Sequence, residues 1–405
     1  MKKVIVIGAG AAGLVSAIFA AKSGADVTIL ERTRMSGKKI LISGGTRCNV
    51  LPVVMNYDDY FTNSSVNLMK NIFKSWSLDA CYKWFSQEIG LKMVTEEKSN
   101  KWFPASNSAM EVRDLLVKKA ENCGVDFIYN FPVQSLEKKG NSWLIKSTDG
   151  NSYIADNIIV ATGGLSLPEI GTDGMGHSFL KKLGHNINKT YPALTPLKGP
   201  HPGNAPIPGV SLDVELTVKL NSKKKIKAQR TGFLFTHKGY SGPAILDLSH
   251  YAVQALEQNT EKPEFIINWT GFEEEKWKEI FSLGKGSIFN KLREYLPNRL
   301  SESLCKEAGL TERKLSELKK EERNKIIKLL IEYKLPYNGH EGYRKAEVTG
   351  GGIPLEEIDT ATLESKIVPG LYLCGEIIDV FGRIGGFNFY WAWLTGRLSG
   401  ISAAK

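Results

Sequence analysis

The chain has few of the residues that build disulfide or metal sites. Its 405 residues include five cysteines with no C-x-x-C pair and six histidines without metal-ligand spacing. An odd, scattered set of cysteines argues against a disulfide framework, a zinc site and a redox-active dithiol. We therefore expect no metal and an intracellular, cytoplasmic protein. The cysteines are Cys48, Cys81, Cys123, Cys305 and Cys374.

Long apolar stretches are also missing. No run of about 20 uninterrupted apolar residues is present to cross a membrane. The start, MKKVIVIGAGAAGLVSAIFAA, has the basic and apolar parts of a signal peptide. Glycines at set spacing interrupt this run, however, and the strand-like DVTILE follows. We therefore interpret the start as part of a folded domain and expect no membrane partner.

Acidic residues are in deficit, since 53 Lys and Arg against 43 Asp and Glu give a formal net charge of +10. Such a balance suits nucleic acid, an acidic membrane surface or a small anion as partner. The lysines are dispersed and lack interleaved aromatic residues. We therefore interpret them as a solvated surface and expect a small-molecule substrate rather than a nucleic acid. The length predicts two or three domains, and the sequence leaves the oligomeric state open.

What the chain does contain is a glycine motif between two strand-like runs. VIVIG leads into G-x-G-x-x-G at residues 8–13, followed by a helix-like segment and by DVTIL, which ends at Glu31. Gly8 permits a tight turn, Gly10 lets the backbone approach a pyrophosphate, and Gly13 lets the helix pack on the sheet. The helix N-terminus offers N–H groups to phosphates, and Glu31 can accept from ribose hydroxyls. The predicted dinucleotide-binding residues are Gly8, Gly10, Ala11, Ala12, Gly13, Glu31 and Arg32.

The segment after the second strand distinguishes FAD from NAD. Residues 34–49 form a basic, glycine-rich stretch where a nicotinamide-binding domain continues with another strand–helix unit. We expect extended chain along FAD, with basic side chains offsetting pyrophosphate charge; the alternative is a basic surface turn. Cys48 follows Arg47, which suggests a lowered thiol pKa, but no resolving cysteine is near and we place it in the flavin loop. The candidate cofactor residues are Lys38, Lys39, Ser43, Gly44, Gly45, Arg47, Cys48 and Asn49.

A further apolar strand, IIVATGG at 158–164, ends in small residues. Before it, DFIYN, VQSLEKK and SWLIKSTDG are typical of strands joined by turns, with Asp149-Gly150 as a hairpin signal. A strand, a β-meander and a return strand is the layout of an FAD domain. We expect Thr162, Gly163 and Gly164 at the cofactor, and a backbone contact from Val133 to adenine.

Five blocks of the sequence extend this interpretation. They are GAGAAGL (8–14), KILISGGTRCN (39–49), ATGGLSLPEIGTDGMGHSFLKKLGH (161–185), FLFTHKGYSGPAIL (233–246) and AEVTGGGIPLEEIDTATLESKIVPGLYLCGEIIDVFGRIGGFNFYWAWLTGRLSG (346–400). Their order and spacing resemble the YhiN/BaiN-like bacterial flavoproteins, also described as aminoacetone-oxidase-like NAD(P)/FAD-dependent oxidoreductases. Two departures stand out: Thr46 fills the family's glycine position before Arg47, and His177 stands where many relatives have tyrosine.

The resemblance implies non-covalent FAD and an α/β fold. It implies a discontinuous, Rossmann-like FAD-binding domain of the glutathione-reductase type at 1–188 and 346–405. The sequence agrees with an interruption, since VSLDVELTVKL alternates as a half-buried strand and residues 273–333 become helical in pattern. We expect an inserted β-barrel-like substrate domain at 189–272 and 334–345, with a small helical subdomain at 273–333.

The C-terminal block supplies further cofactor candidates. In FAD enzymes a strand ending in Gly-Glu or Gly-Asp returns a carboxylate to the ribityl chain and phosphates, so Gly375 is a candidate together with Glu376 or Asp379. Paired glycines then suggest close approach of backbone to flavin, followed by a helix whose positive end faces the ring. Those candidates are Gly385, Gly386, Phe387 and Asn388. In the aromatic run that follows, we expect Phe389, Trp393 and Leu394 in the core and leave Tyr390 and Trp391 as candidates to line the flavin cleft.

We expect a hydride to pass between FAD and a small organic substrate, because the flavin supplies this chemistry. The favoured direction is reduction of an activated C=C bond. NADH or NADPH would bind transiently as donor, since no second G-x-G-x-x-G is present. The alternatives are an amine oxidase, an RNA-associated flavoprotein and a binding protein with a structural flavin. Arg383, His237, Tyr240 and Tyr390 are candidates to face substrate, but none is identifiable as a proton donor, so catalytic residues stay unknown.

Overall fold

One continuous segment interrupts the first folding unit of the chain. The computed structural model describes residues 1–96, 100–220, 224–228 and 230–405. Unit 1 comprises Met1–Tyr191 and Glu347–Lys405, and unit 2 is Pro192–Ala346. The prediction placed the two boundaries after 188 and before 346. The functional assignment of each unit stays a prediction.

A five-stranded parallel sheet forms the centre of unit 1. Its strands are runs of buried aliphatic residues, as expected of strands covered on both faces. The first strand lies in the middle, with Val4 opposite Val27 on one side and Ile5 opposite Ile158 on the other. The carboxyl ends of the strands therefore meet at one edge, where ligands bind in folds of this type. The order is Leu371–Leu373, Asn157–Val160, Lys3–Ile7, Asp26–Leu30 and Asp126–Ile128.

Helices and smaller sheets surround this sheet. The helices are Ala11–Lys22, Lys38–Ile42, Val66–Phe73, Leu78–Lys83, Ala109–Asn122, Met175–Lys182 and Phe387–Ala403, with a π-helical turn at Trp84–Glu88. An antiparallel meander contains Val133–Lys139, Ser142–Ser147 and Ser152–Ala155. The remaining pairings join Leu51–Pro52 and Met93–Glu96 to Lys101–Pro104, Tyr60–Phe61 to Phe381–Gly382, and Asn188–Ala193 to Val348–Gly352. Within the described part of the chain, every helix lacks the combination of length and apolarity needed to span a bilayer.

Unit 2 contains an antiparallel sheet and a group of helices. The strand pairing runs from Tyr333–Lys334 at one edge to Gly339–His340 at the other, so closure into a barrel stays a prediction. The strands are Leu197–Lys198, Ser211–Lys219, Lys225–Lys227, Thr231–Phe235, Gly239–Ser241, Glu264–Asn268, Tyr333–Lys334 and Gly339–His340. The helices are Pro243–Leu246, Ser249–Gln258, Glu274–Leu283, Ile288–Leu292, Asn298–Ala308 and Lys320–Ile331.

The first helix (Ala11–Lys22) and the C-terminal helix (Phe387–Ala403) of unit 1 touch backbone to backbone. A Cβ added at Gly396 would lie 2.5 Å from the carbonyl oxygen of Ala12. One added at Gly400 would meet the carbonyl oxygen of Ser16 well inside the 3.0 Å that real Cβ atoms respect. Residues four apart share one face of a helix. This pair of glycines therefore makes the groove into which the first helix fits.

The aromatic run at the start of the C-terminal helix lies in the core. Trp393 and Leu394 are fully buried, as predicted, and Phe389 is half-buried and packed against them. Tyr390 and Trp391, the two candidates for the flavin cleft, are also buried, at 0% and 1% exposure. Each polar end is satisfied by backbone. Tyr390 donates to the carbonyl of Trp76 at 2.6 Å and Trp391 donates to the carbonyl of Gly375 at 3.2 Å, so both are packing residues.

We expect Gly400→Ala to lower the free energy of unfolding. Overpacking costs about 1–3 kcal/mol, which outweighs the roughly 1 kcal/mol that alanine gains over glycine in a helix. Chemical denaturation of the ligand-free protein measures the difference. Gly232→Ala is the matched control, because a methyl there lies 3.6 Å from Pro243, an ordinary contact. A Gly400→Ala protein as stable as the control would contradict the close helix contact.

Candidate functional site

The glycine turn at the carboxyl end of the first strand is built for close backbone approach. Gly8 has φ +104°, and a side chain there would lie 2.8 Å from the carbonyl oxygen of Ala161. A Cβ on Gly13 would collide with the carbonyl of Gly8. Gly10 differs, because no atom lies within 4 Å of its added Cβ. It is also the N-cap of the first helix and no side chain caps that helix, so the turn leaves an open space beside helix N–H groups.

Glu31 directly follows the second strand and lies beside this turn. One carboxylate oxygen accepts the N–H of Ala9 at 2.8 Å, and the other accepts the N–H and the hydroxyl of Thr33, both at 2.8 Å. The half-buried carboxylate is therefore fixed against the glycine turn. It stands where the sequence places a ribose partner.

Glu376 is the centre of a polar network that joins distant segments. Its carboxylate accepts from Lys39 Nζ at 2.7 Å, from Ser166 Oγ at 2.8 Å and from the N–H of Thr349 at 2.9 Å. Burial raises the pKa of Glu376, but the charge of Lys39 and these hydrogen bonds outweigh it and leave the pKa below its usual value. Gly164 completes the cluster, since a side chain there would collide with Thr349. The carboxylate is thus held by partners from three segments of unit 1 and lies beside Gly164.

Two buried polar groups next to this network are unsatisfied. Thr162 Oγ1 is buried and has no hydrogen-bond partner among the residues that the structure describes. Within the same described set, both ring nitrogens of His177 are buried without a geometrically good partner. Burial lowers the His177 pKa, although the Ile377 backbone and Glu376 act in the opposite direction. Buried polar groups are nearly always paired, so the Thr162 hydroxyl is an exception; it packs against Gly176, where an added Cβ would collide with it.

Asp379 lies among donors from other parts of unit 1. Its carboxylate accepts the N–H of Asn63 at 3.0 Å, Ser64 Oγ at 3.2 Å and Asn188 Nδ2 at 2.7 Å. Burial raises its pKa to about 6, and these hydrogen bonds lower it only in part. Of the two carboxylates left open by the sequence, Asp379 therefore organises loops, whereas Glu376 contacts the glycine-rich turn at Gly164.

The stretch 34–49, expected to be extended, is instead a short helix followed by turns. Lys38–Ile42 is helical, and the chain then turns through left-handed conformations. Thr46 has φ +68° and Cys48 φ +62°. The expectation of extended chain was wrong because the glycines here bend the backbone. The Thr46 position is one that glycine occupies without strain and threonine does not.

Arg47 and Cys48 both have close protein neighbours, and their contact with the cofactor stays a prediction. The Arg47 guanidinium lies 4.2 Å from the ring centroid of Phe103 and forms a 3.0 Å ion pair with Glu96. Burial raises the pKa of the Cys48 thiol to about 12, although a hydrogen bond with Ser43 acts against this. The suggested lowering of the thiol pKa is therefore wrong, and Cys48 is an inert core residue.

The glycine pair before the C-terminal helix is surrounded by protein. A Cβ on Gly385 would lie 2.5 Å from Lys101 Cε, and one on Gly386 would lie 2.6 Å from the backbone of Leu51. Asn388 points back into the preceding turn, where it accepts the N–H of Gly382 at 2.8 Å and donates to its carbonyl at 2.9 Å. The helix starts at Phe387, as predicted. The glycines here thus serve packing as well as any approach to the cofactor.

The other predicted residues lie in or beside these turns. Arg32 is exposed, pairs with Asp173 and donates to the carbonyl of Gly171 at 3.3 Å. Gly375 donates its N–H to Thr395 at 2.9 Å. Val133 begins the meander strand. Ala11 and Ala12 begin the first helix, Lys38 begins the short helix and Ser43 is its C-cap. Gly44, Gly45 and Gly163 have positive φ, and Asn49 lies beside Gly44. The cofactor contacts of these residues stay predictions.

Sequence reasoning missed several contributors. Ser166 and Thr349 belong to the Glu376 network, and Asp173 ties the helix that carries His177 to Arg32. Ser166 and Asp173 lie inside the 161–185 block. A polar residue within a glycine-rich turn is the sequence feature that could have marked them as site residues. Nothing local in the sequence distinguishes Thr349, because its partners are far away in the chain.

The uncapped helix turn and the open space at Gly10 together fit a dinucleotide, and the fold is that of an FAD-dependent oxidoreductase. FAD is the cofactor. The chain matches the HI0933-like protein Rossmann domain over residues 2–402, and it belongs to that family.

Two relatives match over nearly their whole length. A ribosomal RNA dihydrouridine synthase from Escherichia coli (strain K12) is 31% identical over 96% of this chain and 94% of its own. A 3-dehydro-bile acid delta(4,6)-reductase from Clostridium scindens is 29% identical, with 100% of both chains covered. Among solved structures, a 3-ketosteroid-delta4-(5alpha)-dehydrogenase from Rhodococcus jostii RHA1 covers 100% of this chain and 97% of its own at 17% identity and a TM-score of 0.48.

We expect Gly10→Ala to fold normally but to hold FAD less tightly. Its extended backbone at φ −78° accepts alanine, while the added methyl fills space needed by the pyrophosphate. Overpacking of about 1–3 kcal/mol corresponds to a roughly 5- to 150-fold rise in the FAD dissociation constant. Equilibrium dialysis and the melting temperature of the FAD-free protein separate the two effects. An unchanged dissociation constant, or an equal loss of stability without FAD, would place the pyrophosphate elsewhere.

We also expect Thr46→Asn to stabilise the protein, because asparagine tolerates the left-handed conformation better than a β-branched residue. The expected gain is about 0.5–1 kcal/mol, a part of the ~1–2 kcal/mol that this conformation costs an ordinary residue. Denaturation of the FAD-free protein measures it. Thr46→Val keeps the branched side chain and should show no gain; an equal gain there would mean that backbone strain is not the cause.

Proposed function

We propose that this protein reduces a C=C bond conjugated to a carbonyl group, with bound FAD as the hydride carrier and NADH or NADPH as donor. One observation carries the proposal: the names of both full-length relatives refer to reduction of a C=C bond that is conjugated to a carbonyl group. Dihydrouridine is uridine whose C5=C6 bond, conjugated to the C4 carbonyl, has been reduced. A delta(4,6)-reductase of a 3-dehydro bile acid acts on double bonds conjugated to the 3-keto group. In both, a hydride adds to a carbon at the end of the conjugated system remote from the carbonyl, which is the β carbon of an enone or the δ carbon of a dienone, and a proton completes the reduction.

The residues of unit 1 would bind and orient the cofactor for this step. FAD supplies the hydride chemistry when bound. The N–H groups after Gly10 would hold its pyrophosphate, and Glu31 would hold a ribose. The network around Glu376 would fix the turn beneath the cofactor, and the start of the C-terminal helix would place a positive dipole end at the ring.

A second, finer candidate is a uracil base within RNA as the substrate. The distribution of charge favours it over a small enone. Unit 2 contains 26 Lys and Arg and 19 Asp and Glu, so it carries +7 of the formal net charge of +10 in 155 residues. A basic, inserted unit is suited to phosphate contacts. We propose that unit 2 is the barrel-like substrate domain, and we place RNA recognition there in preference to the small-molecule substrate expected from the sequence.

Anaerobic half-reactions test the reaction class. The yellow, FAD-loaded protein should bleach with NADH or NADPH and regain its colour when an enone or a uridine-containing RNA is added. A saturated ketone and an RNA carrying dihydrouridine are matched controls that should leave the flavin reduced. Reoxidation by neither substrate would remove the proposed function. Bleaching by amines in place of nucleotides would favour the amine oxidase.

Charge reversal in unit 2 tests the choice of substrate. Lys224 and Lys225 are exposed beside the Ser211–Lys219 strand. We expect Lys224→Glu with Lys225→Glu to slow flavin reoxidation by RNA at low salt and to leave reoxidation by a small enone unchanged, because phosphate contacts fall steeply with salt. Lys181→Glu, an exposed change in unit 1, is the control. An equal loss of reoxidation rate with both substrates, or a rate with RNA that is independent of salt concentration, would count against RNA as the substrate.

A further inference from the structure

Two sets of hydrogen bonds hold the turn at residues 382–386, before the C-terminal helix. Asn388 closes it on itself by bonding both backbone groups of Gly382, and it also donates to the carbonyl of Arg383 at 3.3 Å. These bonds are local, within six residues of the chain. They shape the turn, but they do not fix where the turn lies in unit 1.

A second set of bonds comes from a segment more than 300 residues earlier. Arg383 donates its N–H to the carbonyl of Asp59 at 2.9 Å, and its guanidinium lies 3.2 Å from Asp59 Oδ1. The next residue, Tyr60, donates its hydroxyl to the carbonyl of Phe387 at 3.0 Å. The strand pair Tyr60–Phe61 and Phe381–Gly382 runs beside these bonds. Residues 59 and 60 therefore bond the turn on both sides of Gly385 and Gly386.

Asp59 also belongs to a second turn, Tyr57–Asp59. Its second carboxylate oxygen accepts the N–H of Asn56 at 2.8 Å and closes the capping box of the Tyr57–Asp59 turn. One carboxylate thus divides its two oxygens between its own turn and Arg383. The side chain is 14% exposed and that of Arg383 is 29% exposed, so the pair is shielded from most of the solvent. A partly buried carboxylate with a separate partner on each oxygen fixes geometry more strongly than a surface ion pair does.

We propose that Asp59 is a positioning residue for the flavin reaction. Through Arg383 it sets the position of the Gly382–Gly386 turn and of the helix N-terminus that begins at Phe387. This inference rests on the proposed function, in which that N-terminus faces the flavin ring. Asp59 itself needs no contact with cofactor or substrate, because its effect passes through Arg383 and the helix end.

Asp59→Asn isolates the effect, since asparagine keeps an acceptor for the Asn56 N–H but loses the charge that holds Arg383. We expect the variant to fold and to retain FAD, because Asp59 makes none of the contacts proposed for the pyrophosphate and the ribose. Its rate constant for flavin reduction should fall about tenfold or more, the scale at which misplaced reacting groups lose rate, with little change in KM. Arg383→Gln should give the same loss, and the double variant should be no slower than either single variant. Asp79→Asn, which breaks the exposed Lys83–Asp79 pair, is the matched control.

The flavin midpoint potential, measured by dye-coupled titration, is a readout that needs no substrate. It should shift in Asp59→Asn and in Arg383→Gln but not in Asp79→Asn. Unchanged potential and rate in both site variants would overturn the positioning role while leaving the proposed function intact. Conversely, a wild-type protein that reduces neither enone nor uracil would remove the proposed function, and the potential would still report whether Asp59 positions the helix end. A loss of melting temperature without a shift in potential would show a merely structural role.

Discussion

The contact between the first helix and the C-terminal helix is the constraint on which the rest of unit 1 depends. Gly396 and Gly400 remove the side chains that would otherwise separate the two backbones. With that spacing set, the C-terminal helix reaches past the glycine turn, so both helix N-termini belong to the carboxyl edge of the sheet. Gly13 acts in the same way between the first helix and the turn. Close packing without side chains leaves few alternative arrangements, which is what a cofactor site needs from its frame.

Charge plays the complementary part. The Glu376 carboxylate joins the short helix at Lys39, the turn at Ser166 and the strand at Thr349. A buried carboxylate without partners would destabilise the fold, so the network is sound only when all its members are present. Glycine packing fixes the distance between helices, and this network fixes the loops that lie between them. The residues proposed to touch FAD are mostly backbone groups that these two devices place.

Local features of the site could be predicted from the sequence, and long-range ones could not. The glycine turn follows from sterics within six residues, and the helix predicted after it is present at Ala11–Lys22. Ser166 and Glu376, by contrast, bond across 210 residues, and no periodicity connects them. The prediction of an extended chain at 34–49 was wrong. A high number of glycines shows that the backbone can adopt unusual conformations, but it does not show which conformation is adopted. Tyr390 and Trp391 were left open because an aromatic side chain with a polar end suits a cleft and a core equally well, and only the packed neighbours decide.

The interruption of unit 1 by unit 2 also orders events during synthesis. Unit 2 is one continuous stretch, so a ribosome can release it and let it fold as a unit. The N-terminal part of unit 1 has by then been made, but the groove for its first helix is not, because Gly396 and Gly400 come later in the chain. Until they emerge, the apolar first helix and the central strands lack a covering face and are exposed to chaperones and to aggregation. The cofactor site is therefore assembled only after the inserted unit has been made.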